Sequence, residues 1–155
     1  MIDNVFFDTN IFVYAADKDS PEKRKRAMEI IDFHRTTKAV VISTQVLQEF
    51  YVTVTRKLKM PLSDEEAETS VRLLGKLPLV QIDKDMIVEA ISLSRRHSFS
   101  LWDALIVEAA ARGGCKKLLS EDMQDGMEVK GVAIENPFRD IPQKPARKKA
   151  KTKKK

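Results

Sequence analysis

Val5-Phe6-Phe7-Asp8-Thr9-Asn10 packs an apolar run, a carboxylate and two short polar residues into six positions. The run is short and sharply bounded, which reads as a buried strand. From Asn10 an apolar-rich segment continues to Ala16 at helical length. The same unit, a short apolar run followed by an amphipathic segment, recurs along the chain. Ala39-Val40-Val41-Ile42, Leu79-Val80-Gln81-Ile82, Lys117-Leu118-Leu119 and Val132-Ala133-Ile134 read as further buried strands. The intervening patterns predict helices over 10–16, 21–36, 44–59, 64–76, 84–97 and 101–112.

Local signals support these boundaries. Ser20-Pro21 places a cap before a proline at the first helical position. Ser63 and Glu66 have the spacing of a capping box, Met60-Pro61 stops the preceding helix, and Gly113-Gly114 stops the last one. Alternating strands and helices predict a three-layer α/β/α domain around a parallel five-stranded sheet.

At 155 residues with 43% hydrophobic and 33% charged side chains, the chain has the composition of one ordinary globular domain. A single cysteine, Cys115, excludes an internal disulfide. No basic-then-apolar leader and no run of membrane-spanning length is present, so the expected location is cytoplasmic, away from membranes. The net charge of +5 is uneven. Residues 144–155 hold eight Lys or Arg and no acid; the rest has 20 basic and 23 acidic residues, close to −3. The expected organisation is a folded domain over 1–140 and a Lys-rich, disordered tail over 141–155.

In an open α/β sheet, ligands bind beyond the carboxyl ends of the strands where strand order reverses. Asp8 follows the first strand, and Ser120-Glu121-Asp122 follows the fourth. If those strands are neighbours, Asp8 and Asp122 meet. Glu49 and Asp103 stand out for another reason. They lie in the apolar runs Val46–Val52 and Leu101–Val107, where an unpaired carboxylate is costly and no Lys or Arg sits at helical spacing. Four converging acids repel one another unless a cation resolves the charge. Oxygen-only ligands suit hard ions such as Mg²⁺ or Mn²⁺.

Each acid also has a plain structural reading. Asp8 can cap the following helix, Ser100 and Asp103 can form a capping box, Glu49 can lie on an exposed face, and Asp122 can be a turn residue. The functional reading rests on their combination. Trp102 reads as core, although an aromatic beside an acid can also stack a base. Cys115 reads as a buried thiol without chemistry.

Val-Phe-Phe-Asp8-Thr9-Asn10, Gln48-Glu49-Phe50, Leu101-Trp102-Asp103-Ala104 and Leu119-Ser120-Glu121-Asp122-Met123-Gln124-Asp125-Gly126, in that order, resemble the PIN domain. The likeness is to PIN-domain ribonucleases of the VapC toxin type, and it spans roughly residues 3–138. It implies a homodimer that cleaves RNA by metal-assisted hydrolysis, leaving 5′-phosphate and 3′-hydroxyl ends. It further implies a cognate antitoxin as partner. Asp8, Glu49, Asp103 and Asp122 match the family's acidic positions, and Thr9, Asn10 and Ser120 its small polar neighbours. Asp125 is a further possible ligand, with a turn residue before Gly126 as the alternative. Other readings remain: an RNA-processing or DNA-flap nuclease, a non-catalytic RNA-binding PIN domain, or a phospho-accepting receiver. The receiver expects a Lys after the fifth strand, where Asn136-Pro137 stands.

Overall fold

The computed structural model describes residues 3–37 and 39–142. Most of the expected tail, 143–155, lies outside the described residues. The elements run β1 (Asn4–Phe7), α1 (Thr9–Ala16), α2 (Pro21–Thr37), β2 (Val40–Ser43), α3 (Thr44–Arg56) and α4 (Asp64–Leu74). They continue with β3 (Leu79–Val80), α5 (Lys84–His97), α6 (Leu101–Arg112), β4 (Cys115–Leu119), β5 (Glu128–Val129) and β6 (Val132–Glu135).

Local chemistry accounts for the helix starts. The capping box closes, with Glu66 N–H donating to the Ser63 hydroxyl and the Glu66 carboxylate accepting from Ser63 N–H. Asp83 accepts from Met86 N–H at 2.9 Å, and α2 begins on Pro21. At the far end of α6, a methyl group added at Gly113 would stand 2.9 Å from the Val41 side chain. Only glycine lets the chain turn this close to the sheet.

Strand order is β3-β2-β1-β4-β6-β5. Every pairing is parallel except β5 with β6. The sheet therefore has six strands where five parallel ones were expected. The addition is two residues long, too short for any periodicity, and it folds back through Lys130-Gly131 with both residues at positive φ. Its antiparallel pairing follows from that tight turn, since a parallel partner needs a long crossover.

The apolar runs of β1, β2, β4 and β6 fill the centre. Phe6, Phe7, Ile42, Leu118 and Ile134 are almost wholly buried. Truncating Phe6 or Phe7 to Ala costs about 3–5 kcal/mol by transfer plus cavity. Helix α6 is apolar nearly all round because it is buried from Ala104 to Ala110. It lies against β2, β4 and β6 and packs on α5, while α1 packs on α2 and α3.

Since β1 is flanked by β2 and β4, chain order reverses at β1. The backbone N–H of Asp8 donates to Leu119 O at 3.0 Å, tying the end of β1 to the end of β4. This is the crevice that the sequence pointed to.

Candidate active site

Asp8 leaves β1 and caps α1. One carboxylate oxygen accepts from Thr9 N–H at 2.7 Å and the other from the Ser120 hydroxyl at 2.7 Å. The residue is only 5% exposed. Burial pushes its carboxyl from 3.8 up to about 7, against the pull of the Ser120 and Thr9 hydrogen bonds. The nearby charges of Asp122 and Glu49 push the same way. The capping role is therefore real, and it coexists with membership of an acidic cluster.

Glu49 projects from α3, half-buried, and accepts from the Thr9 hydroxyl at 3.3 Å. Its carboxyl is raised, first by burial and then by Asp103 and Asp122; hydrogen bonds from Thr9 and Gln45 oppose this. Thr9 thus touches two acids, with its backbone on Asp8 and its side chain on Glu49.

Asp103 stands in the first turn of α6, where its N–H donates to the Ser100 hydroxyl at 3.1 Å. Of the capping box read from Ser100 and Asp103, the Ser100 side-chain half is formed. Asp103 nevertheless lies close enough to Glu49 and Asp122 to raise both their carboxyls. Partial burial raises Asp103 itself, with Ser100 opposing.

Asp122 is the most open of the four, exposed as a residue. Desolvation of its carboxyl group comes first in raising it, followed by Asp103 and Glu121, while Lys23 pulls down. Its N–H donates to the Ser120 hydroxyl, so Ser120 links Asp122 to Asp8.

Lys23 was not anticipated. It is 8% exposed on α2, with Nζ 2.7 Å from Glu121 and 3.1 Å from the Tyr14 hydroxyl. Tyr14 in turn donates to the other Glu121 oxygen. This partly buried triad anchors the loop that carries Asp122. In sequence Lys23 looks like any solvated lysine of Glu22-Lys23-Arg24-Lys25, and only the packing of α2 against that loop separates it from the rest.

Among the described residues none of Asp8, Glu49, Asp103 and Asp122 forms an ion pair. The donors are all oxygens, and the buried amide of Asn10, two residues after Asp8, has no partner for either polar atom. That chemistry fits a hard divalent ion and its hydration shell. As the side chains lie, no three acidic, histidine or cysteine groups among the described residues stand at metal-holding distance. The fold brings the acids together against their mutual repulsion, with hydrogen bonds from Thr9 and Ser120 holding Asp8 and Glu49 in place.

The sequence profile of the PIN domain family matches residues 5–124, a span that includes all four acids. The chain belongs to the PIN domain family. Its activity class is accordingly that of a nuclease. Among solved structures, the toxin–antitoxin complex of Klebsiella pneumoniae superposes with a TM-score of 0.61 at 19% identity. The match covers 87% of this chain and 98% of that one. VapC20 of Mycobacterium tuberculosis, a sarcin–ricin loop cleaving toxin, gives 0.61 at 16%, over 77% and 92% of the two chains. VapBC2 of Rickettsia felis, bound to a promoter DNA fragment, gives 0.60 at 17%, over 85% and 97%. At these identities the likeness is one of fold. No curated protein sequence matches the chain.

Within this PIN domain, the Thr9 hydroxyl donates to Glu49 and the Ser120 hydroxyl to Asp8, whereas the Asn10 amide hydrogen-bonds neither acid. Asp125 is committed elsewhere: it accepts from Asn136 N–H at 2.8 Å and pairs with Arg139 at 2.9 Å. Those partners hold its carboxyl below the ordinary value and leave it a loop clasp. Trp102 is a correction. It was expected in the core, but it points outward and is 63% exposed, because the buried stripe of α6 begins only at Ala104. Cys115 is buried with its thiol pushed up to about 12, as an inert core residue should be. No helix among the described residues is long and apolar enough to cross a membrane.

Proposed function

We propose that this chain is a Mg²⁺- or Mn²⁺-dependent endoribonuclease in which Asp8, Glu49, Asp103 and Asp122 hold the metal and carry the chemistry. One observation carries this reading. A carboxylate buried at the end of the central strand lies beside Glu49 of α3 and Asp122 of the β4 loop, which in turn feel Asp103 of α6, and among the described residues none of the four is ion-paired. A divalent ion bound there supplies Lewis-acid polarisation of the phosphodiester and a lowered pKa for the attacking water.

The protein's own residues supply the positioning. Ser120 and Thr9 N–H fix both oxygens of Asp8, and the Thr9 hydroxyl fixes Glu49. Lys23 and Tyr14 hold Glu121, and with it the backbone that presents Asp122. An attacking water rather than the RNA 2′-hydroxyl leaves 5′-phosphate and 3′-hydroxyl ends. The nuclease domain occupies 1–140, and residues 141–155 form an appended basic tail.

The fold shared with toxin–antitoxin proteins supports a biological reading: the toxin of a type II pair, a homodimer, restrained by a cognate antitoxin. The test is cleavage of RNA by the purified full chain. Activity is expected with Mg²⁺ or Mn²⁺, and loss is expected on chelation and in Asp8→Asn and Asp103→Asn. Full activity in excess EDTA overturns the metal mechanism, and full activity of both variants overturns the site. Growth arrest on expression, relieved by Asp8→Asn, checks the toxin assignment separately.

A further inference from the structure

Beside the acids lies a cavity of about 390 Å³, lined by Gln45, Gln48, Glu49, Val52, Thr53, Lys57 and Trp102. Its volume is within the range of small-ligand sites. Two of its walls join it to the acidic cluster. Glu49 is a member of it, and Trp102 directly precedes Asp103 in the first turn of α6. Here we propose a nucleobase subsite in which one unpaired base of single-stranded RNA stacks on the Trp102 indole, a proposal resting on the nuclease reading above.

The chemistry of the lining matches such a ligand part by part. Trp102 at 63% and Val52 at 48% exposure offer apolar area that no element among the described residues covers. A stacked base covers an indole without needing a particular edge, since every base has a π face. Gln45 is buried, and its amide donates to Trp102 O at 3.1 Å, which ties α3 to the first turn of α6. Its Oε1 is buried without a partner, an acceptor close to where a base would present amino hydrogens. Lys57 closes the cavity with a cation suited to a flanking phosphate. The location supplies the reason for the site. An acidic pocket repels a polyanion, so the substrate needs a neutral anchor next to the scissile bond. A base seated between Trp102 and Glu49 sets its own phosphate at the acids.

The experiment uses the full chain carrying Asp8→Asn, so that RNA survives, and reads two signals. Trp102 is the only tryptophan, so intrinsic emission reports the cavity alone. A short single-stranded RNA is expected to quench it saturably; an abasic oligomer of equal length should bind more weakly and leave emission unchanged. By anisotropy, adding Trp102→Ala should weaken RNA binding about 5- to 100-fold, with Trp102→Phe recovering most of the loss. RNA affinity unchanged in the Trp102→Ala protein overturns the subsite. So does emission that follows protein concentration and ignores RNA, which would mean that a second copy of the chain covers the indole. Cleavage of the same RNA by the wild-type chain is scored in parallel. Its absence refutes the nuclease reading alone, while intact cleavage and binding with Trp102→Ala refute only the subsite.

Discussion

Replacing Asp8 by Asn removes the most buried acid of the pocket, and its effect on stability should depend on pH with a definite sign. The folded-state carboxyl sits at about 7 and the unfolded one near 3.8. Below the unfolded value both states are protonated, and Asp8 contributes its full stability. As pH rises from about 4 to about 7, the unfolded chain releases a proton that the folded one keeps. Stability then falls by about 1.4 kcal/mol per pH unit and levels off above about 7, a total near 4 kcal/mol. Asparagine carries no such charge. It can still accept from Thr9 N–H but turns an amino group toward Ser120, a rearrangement costing about 1 kcal/mol. The variant should therefore be about 1 kcal/mol less stable near pH 4 and about 3 kcal/mol more stable at pH 8. On a chain of this size, the gain is a melting-temperature rise of about 6–12 °C. Thermal melts of both proteins in excess EDTA, from pH 4 to 8, check this. Mg²⁺ or Mn²⁺ at pH 8 should then raise the wild type and not the variant. A stability difference that is flat with pH, or that favours Asn more at low pH, refutes the desolvation account of Asp8.

Ser120→Ala deletes a hydrogen bond that lowers the Asp8 carboxyl, so the acid limb of the pH–rate profile should move to higher pH. Activity at neutral pH should drop about 10- to 100-fold, the usual cost of losing a residue that orients a ligand. Lys23→Met leaves Glu121 buried without its cation and should cost about 3–5 kcal/mol in urea unfolding. Adding Glu121→Gln should restore more than half of that loss, an outcome that a simple packing defect would not give. Truncation after Pro142 removes eight basic residues and should flatten the salt dependence of RNA binding, by up to about 6 in log–log slope, without altering the cleavage site.

Local pattern was enough to read most of the architecture. Six helices begin within a residue of expectation, because caps such as Ser63 with Glu66, and Pro21 at the first turn, act over three or four residues. The helix ends were less legible: α3 stops at Arg56 and not at 59, where the run before Pro61 unwinds into a turn. β5 escaped notice because two residues carry no period. Its pairing depends on the Lys130-Gly131 turn bringing it onto β6. Trp102 was misplaced for a related reason. The apolar run Leu101–Val107 does not reveal which side of α6 faces the sheet in its first turn.

By itself the sequence determined the alternation of strands and helices and the position of each acid on its element. It also placed Asp8 at a strand end, since these properties depend on neighbours a few residues away. Only the tertiary structure decided that β1 lies between β2 and β4, so that acids from the end of β1, α3, α6 and the β4 loop come to share one field. It also decided that Lys23 is buried, that Asp125 is spoken for, and that Trp102 faces outward beside Glu49. The physical reason is that desolvation and charge coupling are sums over everything packed around a group. For Asp8 those neighbours are as far away in sequence as Ser120 and Asp122.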